Sequence, residues 1–78
     1  MKNLELAKLL YNIADLLELQ DVAWKPQAYR KAAQAIESLS EDIAEIHLQG
    51  RLTEIPGVGE NIAAKIEVYL TIGKFKYY

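Results

Sequence analysis

The sequence predicts a small all-α domain. Apolar residues recur at three- and four-residue spacing over long segments, no segment alternates strictly between apolar and polar residues, and glycine or proline stands where helices should begin or end. Each helical segment therefore carries one apolar stripe, and these stripes must pack against one another. We expect four to five helices around one core, in a single domain over residues 1–78.

Composition narrows the class of protein. The chain is 51% apolar, which suits a compact fold, and it has no cysteine, which excludes disulfides, cysteine-based zinc sites and thiol chemistry. No apolar run approaches the ~20 residues that span a bilayer, and no signal-peptide pattern opens the chain. We expect a cytoplasmic, nucleoid-associated monomer with no membrane partner.

The first two helices are predicted from their apolar stripes. Helix 1 is expected over residues 4–19 with Asn3 as its N-cap, and helix 2 from Pro26 to about Leu39. Because alanines are small, helix 2 should approach helix 1 closely. The predicted inward positions are Leu6, Leu9, Leu10, Ile13, Leu16 and Leu17 in helix 1, and Ala28, Ala32, Ala35, Ile36 and Leu39 in helix 2.

A third, short helix is predicted next. Ser40 is its expected N-cap, the helix runs from Glu41 to about Leu48, and Gly50 ends it. A further helical turn over residues 51–55 leads into a turn rich in glycine.

The last helix follows this turn, Pro56-Gly57-Val58-Gly59. We expect the helix to begin at Glu60, to end near Ile72 and to be stopped by Gly73. Residues 74–78 should form a frayed tail.

The glycine-rich turn is predicted to bind an anion. Glycine adopts backbone angles closed to other residues, so the amides of Gly57, Val58 and Gly59 should be open to close approach. They precede a helix, whose unpaired N–H groups and positive dipole end attract negative charge. The alternative is a tight turn without a ligand, because many hairpins with two glycines serve only as turns.

The charge distribution bears on whether that anion belongs to a nucleic acid. A net charge of −2 does not favour binding to a phosphate backbone, which normally requires a basic surface. The charge is uneven, however, because residues 22–36 contain Lys25, Arg30 and Lys31 and no acid. We expect a weakly basic face on an acidic domain.

The chain also resembles a known family. The strings that carry the resemblance are Trp24-Lys25-Pro26-Gln27-Ala28-Tyr29-Arg30-Lys31-Ala32-Ala33, Ile55-Pro56-Gly57-Val58-Gly59, Ile62-Ala63-Ala64-Lys65-Ile66 and Gly73-Lys74. Over about residues 4–76 the chain is similar to the N-terminal helix-hairpin-helix domain of family X DNA polymerases, of the DNA polymerase beta type. The resemblance implies a DNA-binding module that recognises the 5′-phosphate of gapped or nicked DNA, without sequence specificity, in base-excision or gap-filling repair.

In such a protein the remaining polymerase domains would follow in a longer parent chain. The nucleotidyltransferase site would lie in those domains and not in this one, because no paired aspartates typical of a polymerase palm occur here.

The same resemblance implies roles for individual residues. Lys65 matches the nucleophile of a 5′-deoxyribose-phosphate lyase, whose amine forms a Schiff base with the C1′ aldehyde and promotes β-elimination. The backbone carbonyls of Thr53, Ile55 and Val58 match positions that hold Na+ or K+, and no other cofactor is implied. The matched DNA- or phosphate-binding positions are Trp24, Lys25, Tyr29, Arg30, Lys31, Gly57, Val58, Gly59 and Asn61.

The chain departs from that family around the phosphate pocket. Thr53, Asn61 and Tyr77 stand where the polymerase has lysines, and Glu60 adds an acid, so we expect phosphate affinity with only a shallow salt dependence.

Two alternatives to these roles stay open. Lys65 would be a solvated surface lysine, or the domain would be a protein–protein interaction adaptor with the same fold and little DNA affinity, which the net negative charge favours.

Overall fold

The computed structural model describes residues 2–23 and 25–73, and Trp24 and the predicted tail, 74–78, lie outside these described residues. The described residues form four α-helices and one 3₁₀ turn, with no strand, which confirms the predicted all-α class. In chain order the elements are α1 (Asn3–Leu19), α2 (Lys25–Glu37), α3 (Ile43–Leu48), the 3₁₀ turn (Leu52–Glu54) and α4 (Glu60–Ile72).

One buried cluster joins all of these elements. The fully buried aliphatic side chains come from every α-helix, and the hairpin between the 3₁₀ turn and α4 adds Ile55 and Val58 to the same cluster. Burial of these two side chains therefore anchors the hairpin to the core. The leucines and isoleucines with at most 1% exposure are Leu6, Leu10, Ile13, Ile36, Ile43 and Ile66.

Helices α1 and α2 make the most extensive interhelical contact. Ala32 and Ala33 are fully buried in it, so the small side chains of α2 do face the core closely. The buried face of α2 is centred on these alanines and includes Tyr29 and Ile36. Ala28, predicted to face inward, is exposed because it lies at the edge of that face.

Other helix details also differ from the prediction. Leu16 is 44% exposed, because the buried stripe of α1 follows the three- and four-residue spacing of Leu10, Ile13 and Leu17 and leaves Leu16 at its edge. Helix α2 begins one residue earlier than predicted and ends at Glu37, before the predicted Leu39.

The buried side chain of Asn3 links the start of α1 to the start of α3. Its Nδ2 donates to the Glu41 carbonyl at 2.6 Å, and its Oδ1 accepts from the Ile43 N–H at 2.9 Å. The prediction that Asn3 caps α1 is therefore wrong. Lys2 holds the N-cap position, and the Asn3 amide satisfies backbone groups of a distant segment. A buried amide bonded at both ends fixes α3 against α1.

The prediction that Ser40 caps α3 is also wrong. Asp42 is the N-cap, in an extended conformation, and its carboxylate accepts from the Ala44 N–H at 3.0 Å. Since Asn3 bonds the Ile43 N–H, side chains satisfy two of the amides that a helix start leaves without a partner.

The two hairpin glycines serve different purposes. Gly57 has a φ of +86°, and a Cβ there would lie 3.0 Å from Lys31 Cγ and 3.3 Å from the Lys31 carbonyl carbon. The hairpin thus packs directly on α2, and the fold requires glycine at this residue. Gly59, with φ −88° and ψ −176°, has an extended conformation open to any residue, and among the described residues no atom lies within 4 Å of where its Cβ would be.

Replacing Asn3 by alanine should lower the free energy of unfolding by about 2–3 kcal/mol, because the Ile43 N–H and the Glu41 carbonyl both lose a partner. Urea unfolding followed by circular dichroism measures the change. Asn12→Ala is the matched control, since Asn12 is an exposed asparagine of the same helix, and should cost less than about 0.5 kcal/mol. Equal losses in the two variants would contradict the role given to Asn3.

Gly57→Ala should destabilise the domain by about 1–3 kcal/mol, because alanine is strained at positive φ and its Cβ meets the backbone of α2. Gly59→Ala should cost less than about 1 kcal/mol, the modest preference for glycine over alanine at an N-cap. Thermal unfolding of the two variants tests this difference. A greater loss of stability for Gly59→Ala would show that the hairpin does not pack as described.

Candidate nucleic-acid interface

A groove with a volume of about 820 Å³ separates α2 from α4 and ends at the hairpin; we call it the α2–α4 groove. Its walls are the adjoining faces of the two helices, with residues at three- and four-residue spacing on each. The predicted site residues that line it are Lys25, Tyr29, Gly57, Gly59, Asn61 and Lys65. Residues far apart in the sequence are therefore brought to one surface.

Helix α4 begins inside this groove. Its first hydrogen bond, at 2.9 Å, runs from the Ala63 N–H to the Gly59 carbonyl, and its N-cap, Gly59, provides no side-chain bond. The residues that open the helix, Glu60, Asn61 and Ile62, all line the groove. The start of α4, where the positive end of the helix dipole lies, is therefore at the groove.

The Val58 amide behaves differently from the prediction. Val58 is 4% exposed, and its N–H donates to the Ile55 carbonyl at 3.0 Å, so the prediction that this amide is open to an anion is wrong. The bond closes the hairpin and uses one lone pair of the Ile55 carbonyl.

A cation site on the carbonyls of Thr53, Ile55 and Val58 stays a prediction. Within residues 2–23 and 25–73, no three side chains of histidine or acidic residues converge as metal ligands.

Arg30 does not reach the groove. Its guanidinium pairs with Asp15 of α1 at 3.0 Å and also with Glu18, and hydrogen bonds to Glu18 and Asp15 raise the pKa of Arg30. The structure thus gives no support to its predicted attraction for phosphate, because two carboxylates balance its charge. Lys31 is exposed on α2, with its stem beside Gly57, and it lies next to the hairpin without lining the groove.

The side chains that do line the groove differ in exposure. Tyr29 is 4% exposed, so its ring belongs to the core while it also forms part of the groove wall. Lys25 is exposed and Lys65 is half-buried. With Glu60, these two lysines give the groove a formal charge of +1, from two positive charges and one negative charge.

Sequence reasoning missed the apolar part of the groove. Ala28, Ala64 and Val68 line it alongside the predicted polar residues. The sequence does contain a signal for these apolar positions. Val68 lies seven residues after Asn61 and shares its face of α4, and Ala28 lies three residues after Lys25 on α2. What the pattern did not show is that these two faces adjoin.

The other side of α4 is acidic. A second hollow, of about 250 Å³, lies between α3 and α4 and is lined by His47, Thr53, Glu60 and Glu67. The His47 Nδ1 lies 3.8 Å from a carboxylate oxygen of Glu67. Negative charge on this side disfavours phosphate there, and Glu60 belongs to the lining of both hollows.

Among the described residues, no helix combines the length and the apolar character needed to cross a bilayer.

Comparison with known proteins agrees with the geometry. A family model described as a helix-hairpin-helix domain matches residues 1–75, which include every element described above. No curated protein matches the chain. Domains of this kind generally bind DNA. Since the match extends over nearly the whole chain, the chain belongs to the helix-hairpin-helix domain family.

Proposed function

We propose that this domain binds DNA without reading its sequence and holds the 5′-phosphate of a gap or nick in the α2–α4 groove. The observation that carries the proposal is the start of α4, which has no side-chain cap and opens into a groove lined by Lys25 and Lys65. A phosphate there would accept hydrogen bonds from backbone amides and interact favourably with the helix dipole. The start of α3, by contrast, is capped by Asn3 and Asp42.

The distribution of charge favours a DNA end over a long stretch of backbone. Affinity for internal phosphates needs many basic residues on an open surface, whereas this chain is acidic overall and its Arg30 is paired within the fold. The positive charge of the groove is local, and it suits one terminal phosphate, which carries an additional negative charge. Phosphate contacts position a protein on DNA without specifying sequence, so a gap-recognition module in repair is the role we propose.

Lys25→Ala should weaken binding to a gapped duplex that carries a 5′-phosphate by roughly threefold to tenfold, since one of two groove cations is lost. Lys25→Ala and the unmodified domain should bind the same DNA with a 5′-hydroxyl nearly equally. Fluorescence anisotropy at low and physiological salt measures both affinities.

Two further variants serve as controls for that experiment. Lys8→Ala removes an exposed lysine of α1 that does not line the groove, and it should leave the preference for phosphate unchanged. Glu60→Gln removes the groove's negative charge and should increase the affinity for the phosphorylated end. If the unmodified domain binds both ends equally, the phosphate proposal is wrong and the protein–protein adaptor becomes the better interpretation.

A second candidate function is 5′-deoxyribose-phosphate lyase activity. It is supported by the position of Lys65, which is half-buried in the same groove, behind the hairpin. In this reaction the lysine amine would attack the C1′ aldehyde of a terminal sugar and lose water to form an imine. Loss of a proton from C2′ would then break the C3′–O bond, and the DNA strand would leave with a 5′-phosphate. Hydrolysis of the imine would then regenerate the lysine.

Borohydride trapping tests this candidate, because it reduces the imine to a stable amine. Gapped DNA with a 5′-deoxyribose phosphate should give a covalent adduct with the unmodified domain and with Lys8→Ala, and no adduct with Lys65→Ala. An adduct that persists in Lys65→Ala, or none with the unmodified domain, would refute the lyase role. Neither result would affect the phosphate-binding proposal.

A further inference from the structure

The α2–α4 groove is larger than a phosphate needs. Pockets of about 300–1,000 Å³ hold whole small organic ligands, and the volume of this groove, about 820 Å³, falls in that range. Apolar atoms form more of its surface than polar atoms do. A bare phosphate would use neither the volume nor the apolar wall.

The polar and apolar parts of the groove follow one another along α4. The start of the helix lies at the hairpin, and Val68 lies about 10 Å further along the axis than Asn61, at a rise of about 1.5 Å per residue. Ala64 lies between them, and Ala28 adds another apolar position from α2. Ala28 and Ala64 are exposed and have only a methyl side chain, so they leave the groove wide.

A phosphate bound at the start of α4 would leave this apolar section for whatever is attached to it. At a DNA end, the attached groups are the sugar and base of the terminal nucleotide. The faces of a base are apolar, so contact with Ala28, Ala64 and Val68 would remove apolar surface from water on both partners.

We propose that the α2–α4 groove takes the whole 5′-terminal nucleotide, base included, and that the domain therefore selects 5′-phosphorylated ends whose last base is unpaired. The inference rests on the proposed phosphate site. A base that is paired and stacked cannot enter the groove, and unpairing it costs free energy that a mismatched or single-stranded end does not require.

The test compares gapped duplexes that share a 5′-phosphate and differ at the terminal nucleotide. One ends in thymidine opposite thymine, one in a tetrahydrofuran abasic residue opposite thymine, and one in thymidine opposite adenine. The unpaired thymidine should bind roughly fivefold more tightly than the abasic end, from the apolar surface of the base, and more tightly than the paired end. Each duplex is also measured with a 5′-hydroxyl.

Two variants test whether the terminal base binds in the α2–α4 groove. Ala28→Leu fills the groove at an exposed position and should bring the affinities for the thymidine and abasic ends close together. Gln34→Leu, an exposed position of α2 that does not line the groove, should keep the difference.

The outcomes separate this inference from the function on which it rests. A preference for phosphate with equal binding of the abasic and unpaired thymidine ends would overturn the inference and leave the phosphate site standing. Loss of the base preference in Gln34→Leu as well as in Ala28→Leu would also overturn it, because the base would then not lie in this groove. If the domain shows no preference for a 5′-phosphate, both the base-binding inference and the proposed phosphate site are wrong.

Discussion

The close contact between the hairpin and α2 is the constraint on which the candidate site depends. At Gly57 the hairpin backbone runs so near to Lys31 and Ala32 that a Cβ would meet the backbone of α2. Burial of Ile55 and Val58 anchors the hairpin to the core, and the hydrogen bond between these two residues closes it. Because the hairpin is fixed against α2, helix α4 begins beside the exposed face of α2, and the groove between them has one end lined by the first residues of a helix.

The helix starts differ in their caps and in their position relative to the groove. Amides at the start of α3 are bonded to the side chains of Asn3 and Asp42, whereas the starts of α1 and α4 have no side-chain cap, and of these two only the start of α4 lines the groove. Both arginines of the chain are also used within the fold, Arg30 with carboxylates of α1 and Arg51 with Glu41 and Glu54. The positive charge of the groove therefore comes from lysines and from the helix dipole. An acidic chain can in this way present a local site for an anion.

Periodicity and turn chemistry predicted the all-α class, the order of the helices and the hairpin, because these features depend on residues close in sequence. The features that were missed depend on how the helices meet. Asn3 bonds Ile43 across a long stretch of chain, so its pattern looked like an ordinary N-cap. Arg30 meets acids of α1 only after α1 and α2 pack, and its neighbours in sequence suggested a basic face. The apolar groove wall likewise arises when Ala28 and Val68, on different helices, come to line one groove.

An NMR titration of the ¹⁵N-labelled domain with gapped DNA tests whether the start of α4 holds a terminal phosphate. The amide signals of Gly59 and Glu60 should shift with a 5′-phosphorylated gap and far less with the same gap ending in a 5′-hydroxyl. The Val58 amide, already bonded to Ile55, should shift less than either. Equal shifts with the two DNAs, or shifts confined to residues outside the hairpin and the first turn of α4, would show that the start of α4 does not hold the phosphate.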